Sequence, residues 1–174
     1  MIAKGLRTIL VALVGLVVFG PDSGAQESAT IQAVATVVST LSITGSSNLD
    51  FGVVTPGVNK SVDKADVGPA GEFSISGITN AEITLDFTLP ANLTSGVANL
   101  PTSFSSSDAS WDDGTGGGQT APAGVINPNI MNTLRIGAGG ELTAWIGGRV
   151  SPTISQTGGN YTGNITLTIA YTGG

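Results

Sequence analysis

The chain contains no cysteine and no histidine. Without cysteine there is no disulfide framework, no thiol nucleophile, no thiolate metal site and no lipid-modified cysteine. Without histidine the commonest general base and the commonest metal ligand are missing. Positive charge is scarce as well. Six Lys and Arg face twelve Asp and Glu, a net charge of −6. Beyond residue 25 the only basic residues are Lys60, Lys64, Arg135 and Arg149. Nucleic-acid binding needs clustered positive charge to neutralise phosphates, so that class is excluded. Binding to anionic lipid is disfavoured for the same reason. Beyond residue 25 no helical period of useful length occurs.

What is present starts with an export signal. Lys4 and Arg7 form a positive segment, Ile9 to Phe19 an apolar run, and Ser23-Gly24-Ala25 a small-residue site after Pro21. This pattern predicts a secretory signal peptide over residues 1–25, cut after Ala25. The apolar run is shorter than the roughly 20 residues a membrane span needs. No second run follows, so the expectation is a secreted protein reaching the cell surface through the periplasm, with no membrane insertion after cleavage. Residues 26–38 read as an N-terminal extension or first strand, and 39–174 as one domain.

Gly, Ser, Thr, Val and Ile dominate that domain, a composition that points to strands and turns. Alternation is clearest in Glu82–Leu89, where Ile83, Leu85, Phe87 and Leu89 face one way and Glu82, Thr84, Asp86 and Thr88 the other. Glu72–Gly77, Thr133–Gly139, Glu141–Gly148 and Asn164–Thr172 also read as strands. In the last of these Ile165, Leu167, Ile169 and Tyr171 share a face. Leu49–Val54 reads as a short strand, Thr44–Asn48 as a turn, Asn59–Gly71 as a polar loop and Ser103–Asn132 as a long tract of weak periodicity. The sum is an all-β, antiparallel, immunoglobulin-like sandwich of about seven strands.

Candidate chemistry is thin. Asp108, Asp112 and Asp113 read as a solvated or structural loop, with a Ca²⁺ site as the alternative, since Ca²⁺ takes about six to eight oxygens. Trp111, in the same stretch, is a candidate platform for a carbohydrate or a partner, or else tucks into the sandwich; Trp145 reads as core. The carboxylates Asp50, Glu72, Glu82, Asp86 and Glu141 fall mostly on polar strand faces, and no nucleophile motif frames Lys60 or Lys64. No catalytic residue, metal or cofactor is assigned, and the chain is read as non-enzymatic.

Four blocks carry a resemblance: "LDFGVVTPG" (Leu49–Gly57), "AGEFSISGITNAEITLDFTLP" (Ala70–Pro90), "LRIGAGGELT" (Leu134–Thr143) and "GGNYTGNITLTIAY" (Gly158–Tyr171). In this order they resemble a secreted bacterial family, domain of unknown function 4402, similar in style to spore coat U and fimbrial subunit domains. The resemblance implies a pilin-like sandwich that assembles into a surface fibre or coat. It also implies copies or related subunits as partners and a periplasmic chaperone. It brings no catalytic residues, and the chain departs from pilins in lacking their disulfide and in continuing past Tyr171.

One stretch remains: Thr30–Ile43, with Ile31, Ala33, Ala35, Val37, Leu41 and Ile43 on alternate positions. Counted from Ala29 the pattern would span about 50 Å as a strand, beyond the usual length. Either it bends near Ser39-Thr40 and serves both sheets of its own sandwich, or residues 26–38 leave the domain as a donor strand. In the second case Ile31, Ala33, Ala35 and Val37 plug the groove of a neighbouring subunit by β-strand addition. A fibre subunit is the expected function; a monomeric binding module for carbohydrate or a surface ligand is the alternative.

Overall fold

The computed structural model describes residues 27–36 and 40–173. The chain divides into two units, Met1–Thr36 and Val37–Gly174. In the first, residues 27–36 carry no secondary structure and are exposed. The expected signal peptide and Val37 lie outside the described residues. The long strand expected over Thr30–Ile43 does not form: residues 27–36 are unpaired, and the first strand begins only at Ser42.

The second unit is all β. Its strands are β1 (Ser42–Ser47), β2 (Lys60–Val62), β3 (Gly71–Ser76), β4 (Glu82–Thr88), β5 (Asn92–Ser95) and β6 (Ala98–Ser103). They continue with β7 (Ala109–Asp112), β8 (Gly124–Ile126), β9 (Asn132–Arg135), β10 (Glu141–Ile146), β11 (Gly148–Val150) and β12 (Thr166–Tyr171). All pairings are antiparallel, in three sheets ordered β1-β3-β10-β7-β8, β2-β11-β6-β5 and β12-β4-β9.

The five-stranded sheet packs on the three-stranded one, as alternation along β4 predicts. Ile83, Leu85 and Phe87 of β4 and Leu167 of β12 meet Ile75, Leu142, Ala144 and Ile146 of β3 and β10 in one buried cluster. Each large side chain buried there contributes about 1.5–3 kcal/mol. Phe73 and Phe87 meet edge-on, with ring centroids 6.0 Å apart. A second cluster, Phe51, Val62, Ala70, Leu100 and Val150, lies under the four-stranded sheet. Both clusters lie wholly within 40–173, so the sandwich core closes without residues 27–36.

The described residues form twelve strands where about seven were expected, and the differences have local causes. Leu49–Val54 is irregular rather than a strand, because the Asp50 carboxylate accepts the Gly52 N–H at 2.7 Å and Gly52 takes φ 60°. The expected turn Thr44–Asn48 is mostly strand, held by cross-strand hydroxyl pairs, Ser42 with Ser76 and Ser46 with Ser74, each 2.7 Å apart. The polar loop after Asn59 contains β2, and the weakly periodic tract contains β7 and β8. The hairpin β5–β6 has a turn at Gly96, φ 58°. The segment Glu141–Gly148 bends at its glycines, so β10 and β11 belong to different sheets.

Candidate functional site

A two-sheet sandwich has two seams, one along each pair of facing edges. At one seam the edges are β8 and β9. The chain closes this seam itself, since residues 127–131 cross from one sheet to the other. The Asn132 side chain donates to the carbonyls of Asn127 and Ile130, both at 2.8 Å, and pins the crossing.

The other seam is formed by β1 and β12. Among the described residues β1 pairs only with β3, and β12 only with β4, so each presents a sheet edge. One end of this seam is closed. The Tyr171 hydroxyl accepts the Ile78 N–H at 2.8 Å, linking the end of β12 to the end of β3. A Cβ on Gly77 would lie 2.6 Å from Ile136 Cδ1, 2.7 Å from the Tyr171 hydroxyl and 3.1 Å from Leu41 Cδ1. Only glycine allows that approach. Tyr171→Phe leaves the Ile78 N–H without this acceptor. It is expected to cost about 1 kcal/mol, read as a lower urea midpoint at unchanged slope.

The other end of the seam is open. There a groove of about 660 Å³ runs between Gly45 and Ser47 of β1 and the stretch Tyr161–Thr166 that leads into β12. Phe73, Phe104, Leu93, Ile146 and Ile165 give it apolar surface, and Asp50, Thr102, Thr162 and Asn164 give it polar surface. It adjoins a second hollow of about 500 Å³ that shares Leu49, Phe51, Leu93 and Tyr161. Tyr161 is locked in place: its hydroxyl donates to the Thr157 carbonyl at 2.6 Å and accepts from the Gln156 amide at 2.7 Å. A groove between two sheet edges can take an added strand, through backbone hydrogen bonds and alternate side chains.

The residues singled out in the sequence stand as follows. Ile31, Ala33 and Ala35 are exposed and unpaired, Ile31 at 92%. Asp108, Asp112 and Asp113 do not form a cation cage, because each carboxylate serves its own turn. Asp108 accepts from the Ser105 backbone at 2.7 Å, and Asp113 from the Thr115 backbone at 3.1 Å. Asp112, buried at the end of β7, accepts the N–H groups of Gly114, Gly116 and Gly118 at 2.7, 3.0 and 2.7 Å. Those bonds, that of Gly116 foremost, lower its pKa below the ordinary aspartate value, against the opposing effect of burial. Among the described residues no three acidic groups converge as metal ligands do.

Trp111 is a strand residue of β7 rather than a loop residue. It packs against the main core, and its indole lies over Gly124, where a Cβ would come within 2.7 Å of Nε1. Trp145 is buried and donates to Glu72 at 3.0 Å. Glu82 is engaged by Arg135 at 3.7 Å and by the Thr172 hydroxyl at 3.0 Å, and Asp50 caps Gly52. Asp86 and Glu141 are exposed on strands of different sheets. Lys60 donates to the Val53 carbonyl at 3.1 Å, and Lys64 lies 3.9 Å from Asp63.

The sequence reading missed Gly45, the apolar surface of the groove and the structural role of Asp112. For Asp112 a signal was available: glycines two, four and six residues on, the spacing that lets a backbone curl around a carboxylate. For the groove there was none, since its walls come from segments far apart in the chain. Compared with known proteins, the chain matches no family model and no curated sequence.

Proposed function

We propose that this protein is a non-enzymatic, secreted structural subunit of a cell-surface fibre or coat, built by β-strand addition between copies. The single observation that carries the reading is the open seam between β1 and β12, with a groove that offers both apolar side chains and polar groups. The occupant is residues 26–38 of a second copy. Their described part is exposed and unpaired, with Ile31, Ala33 and Ala35 on one row and Thr30, Gln32, Val34 and Thr36 on the other. Val37 extends the same row. Head-to-tail insertion is heterologous and does not close on itself, so it propagates as a filament. The block resemblance to pilin-like secreted domains supports the same reading, with export by the signal peptide and a periplasmic chaperone shielding the groove before assembly. The immunoglobulin-like arrangement belongs to this proposal too. The carbohydrate-module reading leaned on Trp111, whose indole is taken up by Gly124 and the core.

The test is the mature protein recovered from the producing cell's surface and run in SDS, unboiled and boiled. We expect a ladder that collapses to monomer on boiling and is absent when residues 26–38 are deleted. The deleted chain should still fold, because both buried clusters lie outside that segment. A single monomer band in both lanes, or a ladder that survives the deletion, overturns the reading.

A further inference from the structure

We propose that Gly45 is the socket that receives Ile31 of a second copy, which fixes the register of strand addition. The inference rests on the fibre reading and deepens it.

Leu41, just before β1, and Ile43 and Gly45 of β1 occupy alternate positions and face the space between the sheets. Leu41 and Ile43 pack against the core. Gly45 stands directly across from Phe73 of β3, which also packs against that core. At the third position of an inward row the domain therefore places no side chain at all. A glycine inside a strand costs roughly 0.5–1 kcal/mol relative to alanine, so its presence needs a reason.

Crowding by a neighbour within the domain is not that reason. A Cβ at Gly45 would meet nothing within 4 Å, and its φ is not positive. Two other glycines on the groove behave differently. A Cβ on Gly71 would come within 3.0 Å of Ile146 Cγ2, and one on Gly163 within 2.8 Å of Leu93 Cδ2. Those two are required by their own neighbours, whereas Gly45 faces open space in the groove wall. The pairing with β3 shifts register just beyond, between Gly45 and Ser47, and resumes with Ser47 opposite Glu72. The vacancy suits a bulky side chain arriving from outside.

Within the exposed segment 27–36 the bulky apolar residues are Ile31 and Val34. Val34 lies on the opposite row from Ala33 and Ala35. Among the described residues of the Ile31–Ala33–Ala35 row, Ile31 is the one side chain large enough to fill the space over Phe73. Ala33 and Ala35 add backbone pairing with little bulk. A one-residue slip would turn Ile31 out to water and aim Thr30 or Gln32 at the groove.

The test uses the full mature chain, with the SDS-resistant ladder as readout. Gly45→Leu fills the socket and Ile31→Ala removes its occupant. Each should lower the polymer fraction about tenfold or more, since tenfold corresponds to only ~1.4 kcal/mol of contact. The double variant Gly45→Leu/Ile31→Ala should recover part of that loss, because the smaller residue leaves room for the leucine. Urea midpoints of the Gly45→Leu monomer and the unaltered monomer should agree. A Gly45→Leu chain that assembles normally overturns the proposal, and so does one that fails to fold, or a double variant no better than Gly45→Leu alone. If deletion of residues 26–38 abolishes the ladder while Gly45→Leu does not, strand addition stands and this register falls. If the ladder survives the deletion, the fibre reading falls with it.

Discussion

Gly147→Ala is expected to destabilise the sandwich by about 3 kcal/mol or more, a large share of the roughly 5–15 kcal/mol that holds a domain of this size. Gly147 sits at the bend where the chain leaves β10 in the five-stranded sheet and enters β11 in the four-stranded one. Its N–H donates to the Asp108 carbonyl at 2.8 Å, so the residue is fixed on one side. On the other side an added Cβ would lie 2.3 Å from the Val62 carbonyl oxygen, 2.7 Å from the Lys64 nitrogen and 2.9 Å from the Asp63 carbonyl carbon. All three are backbone atoms, and no rotamer change moves them. Relief requires pushing β2 off β11, which breaks the Gly148–Val62 pairing and opens the second core cluster around Val62 and Val150. Gly139→Ala is the control, since a Cβ there meets nothing within 4 Å and φ is not positive. It should be neutral or stabilising by up to about 1 kcal/mol, through the unfolded chain. Urea unfolding of the two variants checks the pair. Equal midpoints would mean that the bend at Gly147 tolerates a side chain.

Asp112→Ala is expected to cost roughly 2–4 kcal/mol, because it strips the acceptor from three glycine N–H groups at once. The loop after β7 is organised by that carboxylate: Gly114 and Gly118 take φ of 90° and 79°, and a Cβ on Gly116 would lie 2.8 Å from the Asp112 oxygen. The same bonds make stability depend on pH. The folded pKa lies below the ordinary aspartate value. The unfolded state therefore takes up a proton first as pH falls. The contribution of Asp112 is fully present above the unfolded pKa and is lost as pH drops through the folded one. The unaltered protein should weaken progressively below about pH 4. Asp112→Asn should start less stable at neutral pH and lose less over that acid range. Parallel pH profiles for the two chains would show that the carboxylate charge contributes nothing there.

Several elements were legible in the sequence because a single local pattern determines them. Ile83, Leu85 and Phe87 alternate with polar residues over one stretch, and all three are buried in β4. Leu167, Ile169 and Tyr171 turn inward on β12 for the same reason. Trp145, read as core, is buried. Elsewhere local chemistry misled. Gly and Ser at 44–48 look like a turn, but paired hydroxyls from β3 hold them in a strand. Leu49–Val54 looks like a strand, but the bond between Asp50 and Gly52 curls it. The acidic stretch, read first as a structural or solvated loop, has each carboxylate bonded to its own few residues. The exposed Thr30–Thr36 row has the period of a strand and no partner, because period 2 describes a face and not what covers it.

From the sequence alone came the all-β class, the antiparallel alternation, the inward faces of β4 and β12, the exclusion of cysteine and histidine chemistry, and an apolar N-terminal row of unknown destination. Only the tertiary structure decided which edges stay unpaired, where the chain switches sheets, and that Gly45 faces an empty groove rather than a neighbour. The reason is physical. Side-chain period and turn chemistry act between residues a few positions apart, whereas an edge, a seam or a socket exists only after segments as distant as Gly45, Phe73 and Ile165 have been brought together.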